Sequence, residues 1–352
     1  MSQRKKNAVP EDTAGLIRYF ADLRGIAGRD GEAGAAAAEA FRGILPDAAY
    51  ENGNVTAHLR SGEKKPVLLL CAHLDQVGFL VTDITPDGFL RIGAVGGIDR
   101  RILSGQAVTV FGTASGKTVP LPGIIAILPP HLTDGNQAVP EITQLCVDLG
   151  FSSEEETKRL VAQGDALCFA AKSDLLGGNC VTAPALDDRC GIAILYLTAK
   201  VLAAEENLPC NVTFVCSAQE ERGGRGAVLA ARQERYDAAI AVDATFGAAA
   251  DAQAGCFALG SGPAVGISPV LSEALSEKLL QIAERCGDYS REVMCGRTGT
   301  DADQLALSPD GAAAGTVSFP LRNMHTPAEA VSTEDADACV RLLTEFAKEY
   351  GR

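Results

Sequence analysis

Four apolar runs in this sequence each lead into side chains that can bind a metal. PVLLLCAHLD (66–75) runs to His73 and Asp75, and NVTFVCSAQEE (211–221) to Glu220 and Glu221. DAAIAVDAT (237–245) carries Asp243 near its end, and AAAGTVSFPLRNMH (312–325) finishes on His325. A fifth stretch, APALDDRCG (183–191), sets Asp187 and Asp188 in front of a long apolar segment. Each piece alone has an ordinary explanation: a polar strand end, a solvated turn, or a helix cap with an acidic first turn. Four such coincidences on the strands of one sheet are harder to explain that way, because in an open α/β sheet ligands bind beyond the carboxyl ends of the strands.

The ligand arithmetic is coherent. If Asp187 bridges, two cations each receive three protein ligands: His73, Asp187 and Asp243 for one, Asp187, Glu221 and His325 for the other. Each keeps a position open for water or substrate, as a catalytic site requires. Imidazole and carboxylate without thiolate suit zinc, with cobalt or manganese as alternatives. Paired cations lower the pKa of a shared water and polarise a carbonyl. Glu220 is then the expected general base, taken to point to the other side from Glu221. Asp75 is expected to accept the second ring proton of His73 and fix its tautomer.

The elements that must position these residues follow from periodicity. The first ~45 residues read as helical. From about 78 to 175, short apolar runs broken by Gly, Pro and Asp read as all-β, with a short helix at FSSEEETKRLVAQ. Beyond about 178, strands alternate with helices, which implies a mostly parallel sheet. The expected fold is α/β: a mostly parallel sheet flanked by helices, with a small β-barrel-like domain inserted in it. The boundaries read as 1–77 and 176–352 for the catalytic domain and 78–175 for the insertion.

Composition narrows the class. The chain has 352 residues, 47% hydrophobic and 22% charged, with a net charge of −14. That balance argues against nucleic acid as the main partner, which needs clustered Lys and Arg. No apolar run approaches the ~18 residues of a membrane span, and the N-terminus reads as lacking a signal peptide, so the cytoplasm is the expected location. The 11 cysteines include no CxxC pair and read as small buried hydrophobes of a reducing compartment.

At these residues the sequence resembles dinuclear-metal aminopeptidases of the glutamyl, deblocking and tetrahedral (TET) type. The motifs are AHLDQVGF (72–79), GGNCVTAPALDDRCG (177–191), AQEERGGRGA (218–227), AVDAT (241–245), GRTGTDAD (296–303) and PLRNMHTPAE (320–329), with LPGIIAILPPHL (121–132) in the insertion. The resemblance implies His73, Asp187, Glu221, Asp243 and His325 as ligands of two divalent metals, Glu220 as catalytic base and Asp75 as the orienting carboxylate. It implies peptides with a free N-terminus as substrates. It also implies a homo-oligomer, in which the inserted domain makes dimers and dimers build a tetrahedral dodecamer. The chain departs from the commonest pattern at Gln76, where the family usually has Glu, and at Asn323, Met324 and Thr326. Gln76 is thereby expected to alter the charge around His73 and Asp75.

Thr300 and Asp301 are further candidates on the substrate side, as are Arg322, for a substrate carboxylate, and His131, for a neighbouring subunit's site. His58 reads as a surface residue. Rival readings are a dinuclear-metal deacylase or carboxypeptidase-like amidohydrolase, and a catalytically silent assembly protein, which would have lost a ligand or the base. A glycanase ordinarily needs two unliganded carboxylates, and a cysteine hydrolase needs a nucleophile elbow with a free histidine. Neither pattern is present.

Overall fold

The computed structural model describes residues 8–127, 130–132, 138–250, 254–296, 299–309 and 311–351. Four parallel strands form the centre of an 11-stranded sheet, in the order Asn211–Ser217, Val67–His73, Ala238–Phe246 and Ala313–Arg322. These are the apolar runs that lead to the metal-capable residues. They read as continuous hydrophobic stretches because both sheet faces are covered. Leu68, Leu70 and Ala72 face one core, built with the helices Thr13–Ala21, Leu186–Ala203 and Thr333–Glu349. Leu69 and Cys71 face the other, under the helices Arg225–Gln233 and Asp301–Leu305.

The sheet is mixed rather than parallel throughout. Asn54–Leu59 extends one side antiparallel, while Glu329–Ser332 and Cys180–Ala183 extend the other. A branch of two parallel strands, Ala264–Ile267 and Ser290–Val293, attaches antiparallel to Ala313–Arg322 through Val317 and Ser318.

Six strands between Gly78 and Phe169 close into a separate barrel. Its interior is a second core, including Phe79, Val81, Ile92, Val110, Val147 and Phe169. The rings of Phe79 and Phe169 meet edge to face with centroids 5.9 Å apart. The short helix expected near 151–163 spans Glu154–Lys158, with the Ser153 side chain accepting from the Glu156 N–H. Among the described residues no helix is long and apolar enough to cross a membrane.

Candidate metal centre

The strand Val67–His73 delivers His73 at its last residue, beside Ser217 of the neighbouring parallel strand. The Nδ1 of His73 lies 3.0 Å from the Asp75 backbone carbonyl. That acceptor requires Nδ1 to carry the proton, which leaves Nε2 free to bind a cation. The expected partner was the Asp75 carboxylate, but its nearer oxygen is 3.8 Å away. That carboxylate accepts instead from the backbone N–H groups of Glu220 (3.0 Å) and Glu221 (3.2 Å). Asp75 thus ties the two glutamates to the strand that carries His73.

Glu220 and Glu221 do not continue their strand. It ends at Ser217, and the chain turns through Gln219, at φ +58°, into one turn of 3-10 helix, Glu220–Arg222. Gly223 and Gly224 then hold φ of +102° and +69°, a region that residues with a Cβ adopt only at a cost. His325 also lies past its strand, which ends at Arg322, and it sits at φ +61°. Asp243 lies within Ala238–Phe246, three residues before its end. Strand ends therefore bring the chain to the site, and the turns beyond them aim two of the ligand candidates.

The five ligand candidates converge. His73 Nε2 is 2.9 Å from Asp187 Oδ1 and 3.9 Å from Asp243 Oδ1. His325 Nε2 is 3.2 Å from Asp187 Oδ2 and 3.1 Å from Glu221 Oε1. The two oxygens of Asp187 thus face different histidines, the arrangement a bridging carboxylate needs. Asp188 also reaches His73 and Asp243 closely enough to share a cation. Its oxygens, however, accept the backbone N–H groups of His73 (2.8 Å) and Gly191 (3.1 Å), and it is fully buried. Asp188 is a brace for the chain, and Asp187 faces the cavity.

Two further contacts were not visible in the sequence pattern. Glu329 accepts the backbone N–H of Asp187 (3.1 Å) with one oxygen and that of His325 (2.6 Å) with the other. The barrel-side loop supplies the Gly97 carbonyl, 2.5 Å from His325 Nδ1, so this ring also presents Nε2 inward. Glu329 stands inside the motif PLRNMHTPAE, but no local pattern distinguishes a carboxylate that spans two backbone amides from one in solvent.

The electrostatics describe a site built for cations. Burial opposes charge on both histidines, yet the surrounding carboxylates together outweigh it, Asp187, Asp188 and Asp243 at His73 and Asp187 and Glu221 at His325: His73 is held well above its ordinary range, and His325 is pushed up to about 11. Asp243 is driven well above the usual carboxylate range by burial and by the charge of Asp188. Burial, followed by the surrounding carboxylates, lifts Glu220 to about 8 against the pull of His73. Glu221 Oε1 is buried and faces the His325 ring nitrogen. So many acids in one dry place are expensive unless paired with positive charge. The donor set of imidazole nitrogens and carboxylate oxygens fits two divalent cations.

The cluster forms one wall of a cavity of about 330 Å³, with Glu220 beside it. Thr300 lines the cavity and also caps the helix Asp301–Leu305. Asp301 lies beneath it, buried, accepting from the Ser217 hydroxyl and 3.5 Å from Cys71 Sγ. Arg322 is exposed and donates to the Ala248 carbonyl at 2.5 Å, and His131 is exposed in a 3-10 turn; neither lines this cavity. Residues 297–298 of GRTGTDAD lie outside the described residues. Gln76 is buried with its side chain bonded toward Cys168 rather than to His73. The sequence reading missed the rest of the wall: Thr245, Phe246, Glu292, Met294 and Ser318. His58, half-buried, bonds Asp47 at 2.6 Å.

The sequence profile of the M42 glutamyl aminopeptidase family matches residues 53–342. A lysyl aminopeptidase of Pyrococcus furiosus is 30% identical over 87% of this chain and 89% of its own length. An aminopeptidase from the archaeon Desulfurococcus kamchatkensis has a similar structure, with TM-score 0.87 and 31% identity over 96% of this chain and 94% of the other. The TET1 peptidase of Pyrococcus horikoshii, which can assemble into a tetrahedron or a large octahedral shell, superposes with TM-score 0.85 and 29% identity, covering 96% of this chain and all of the other.

Proposed function

This chain belongs to the M42 glutamyl aminopeptidase family and is an aminopeptidase, and from that premise we propose which of its residues carry the reaction. His73, Asp187 and Asp243 hold one divalent cation; Asp187, Glu221 and His325 hold the other, with zinc the first choice and cobalt or manganese the alternatives. When bound, the pair would lower the pKa of an attacking water and polarise the scissile carbonyl. Glu220 takes the proton from that water and hands it to the leaving amine. Its raised pKa fits the second half of that task, and nearby cations would draw it down for the first. The observation that carries this reading is the split of the Asp187 carboxylate between His73 and His325, beside Glu220 in one cavity.

The substrates are peptides with a free N-terminus. The family profile is named for glutamate and the P. furiosus relative for lysine, so membership alone does not fix the preferred residue. The segment 78–175 is assigned as the inserted domain through which copies associate, first as dimers and then as a dodecamer, as the P. horikoshii relative's tetrahedron suggests. Ile127 and Leu132 there are 61% and 70% exposed, large apolar side chains available for such a contact. All 11 cysteines are free thiols, which suits the cytoplasm.

The test is metal content with activity. Purified protein should hold about two metals per chain and release the first residue of aminoacyl-p-nitroanilides in a chelator-sensitive way. Two metals with cleavage only of N-acylated substrates would point to a deacylase. A chain that takes up no metal would end this reading.

A further inference from the structure

The cavity that holds the proposed ligands is also lined by a carboxylate that the metal chemistry does not use. Glu292 lies on the strand Ser290–Val293, paired with Gly266, and its side chain lines the cavity with only 8% of the residue exposed. Oε1 accepts from the Thr245 hydroxyl at 2.5 Å, and the Ser318 hydroxyl also bonds the carboxylate. Oε2 is buried and has no hydrogen-bond partner. No Lys or Arg lines the cavity among the described residues, and its two histidines are engaged with Asp187 and Glu221. A buried carboxylate held by two hydroxyls with an oxygen left over is a receptor for a positive group.

That group is better supplied by the first residue's side chain than by its α-amine. The amine is two bonds from the scissile carbonyl carbon and must stay beside the cluster. Thr245, which holds Glu292, lies two residues beyond Asp243 on the same strand, roughly 6.5 Å further along. Phe246, Met294 and Met324 line the same cavity and offer apolar cover to a methylene stem whose charged end reaches the carboxylate.

Resting on the aminopeptidase reading above, we propose that Glu292 is the specificity-determining residue of the first-residue pocket and selects peptides that begin with lysine or arginine. A charged hydrogen bond of this kind discriminates on the order of 10- to 100-fold.

The first experiment uses the unaltered, metal-loaded protein: isothermal titration with lysinamide and with norleucinamide, which differ by the side-chain ammonium. Lysinamide should bind at least about tenfold tighter; equal affinities overturn the proposal. The second compares kcat/KM for lysyl, arginyl, leucyl and glutamyl p-nitroanilides in the wild type and in Glu292→Gln, checked for folding by circular dichroism. The lysyl-to-leucyl ratio should be high in the wild type and fall about 10- to 100-fold in the variant. A uniform loss across all four substrates would assign Glu292 to the α-amine and sink the side-chain role. A loaded wild type that releases no first residue would instead refute the aminopeptidase reading, and the titration would still decide what Glu292 binds.

Discussion

Glu329 holds the backbone N–H of His325 at 2.6 Å and so fixes a histidine in a left-handed conformation. Its second oxygen holds Asp187 in the same way at 3.1 Å. One buried side chain therefore sets the spacing of two proposed ligands that are 138 positions apart. Positioning groups of this kind typically govern metal affinity by 10- to 100-fold. Glu329→Gln keeps the shape but has only one accepting oxygen. It is expected to fold and to lose metal affinity by about that factor, as read by titration against a competing chelator. Unchanged affinity would mean the turn after Arg322 holds itself.

Glu220→Gln separates proton transfer from metal binding. The variant should keep the wild-type metal content, because Glu220 belongs to neither triad of proposed ligands. Turnover should fall about 10²- to 10⁴-fold, the usual contribution of a general base. Metal counting and kcat on the same preparation check both halves. Near-wild-type turnover would remove Glu220 from the mechanism.

The metal-free protein should lose stability as pH rises from about 4.5 to 8. Burial, with the charge of Asp187, raises Glu329 to about 8 from an ordinary 4.5, and Glu220 reaches the same value. Between those limits the folded chain keeps both protons and the unfolded chain does not. The folded state binds more protons, so stability falls with rising pH. His325, raised to about 11 from 6.5, adds stability that is complete below 6.5 and is lost as pH climbs toward 11. Bound cations replace the protons, so added metal should raise the melting temperature far more at pH 8.5 than at pH 5.5. Thermal melts of chelator-treated protein, with and without metal, check this; a metal-free protein more stable at pH 8.5 would contradict it.

Replacing exposed Ile127 and Leu132 by aspartate should leave the fold intact, since neither belongs to the barrel core. If the inserted segment carries the contacts between copies, the mass measured by light scattering should drop toward the monomer. An unchanged mass would place the association elsewhere.

Much of the architecture was legible because period and polarity are local properties. The run VLLLCAH is apolar on every residue before its closing histidine, and NVTFVCS interleaves only small polar residues among its apolar ones, a composition that suits strands covered on both faces. The short apolar runs broken by Gly, Pro and Asp between about 78 and 175 likewise announce an all-β unit. The residues His73, Asp187, Glu221, Asp243 and His325 stood out as candidates because metal-capable side chains recur beside several buried strands, though each alone has an ordinary explanation.

What only the tertiary structure decided is orientation. The sequence by itself left Asp75 as a partner for the His73 ring; folding gave that role to its backbone carbonyl and turned the carboxylate to Glu220 and Glu221. It placed these glutamates beyond a left-handed residue, Gln219, rather than at a strand end, and set Asp187 toward the cavity and Asp188 toward backbone amides. Glu329, Gly97 and Glu292 had no local signal at all. Glu329 reaches Asp187 142 positions away, Glu292 reaches Thr245 47 positions away, and Gly97 meets His325 228 positions away, contacts that no pattern within one element encodes. Local sequence determines which segments are strands and which side chains can do chemistry. Which atom of each faces the cavity is decided by long-range hydrogen bonds that exist only once the sheet and the barrel have packed together.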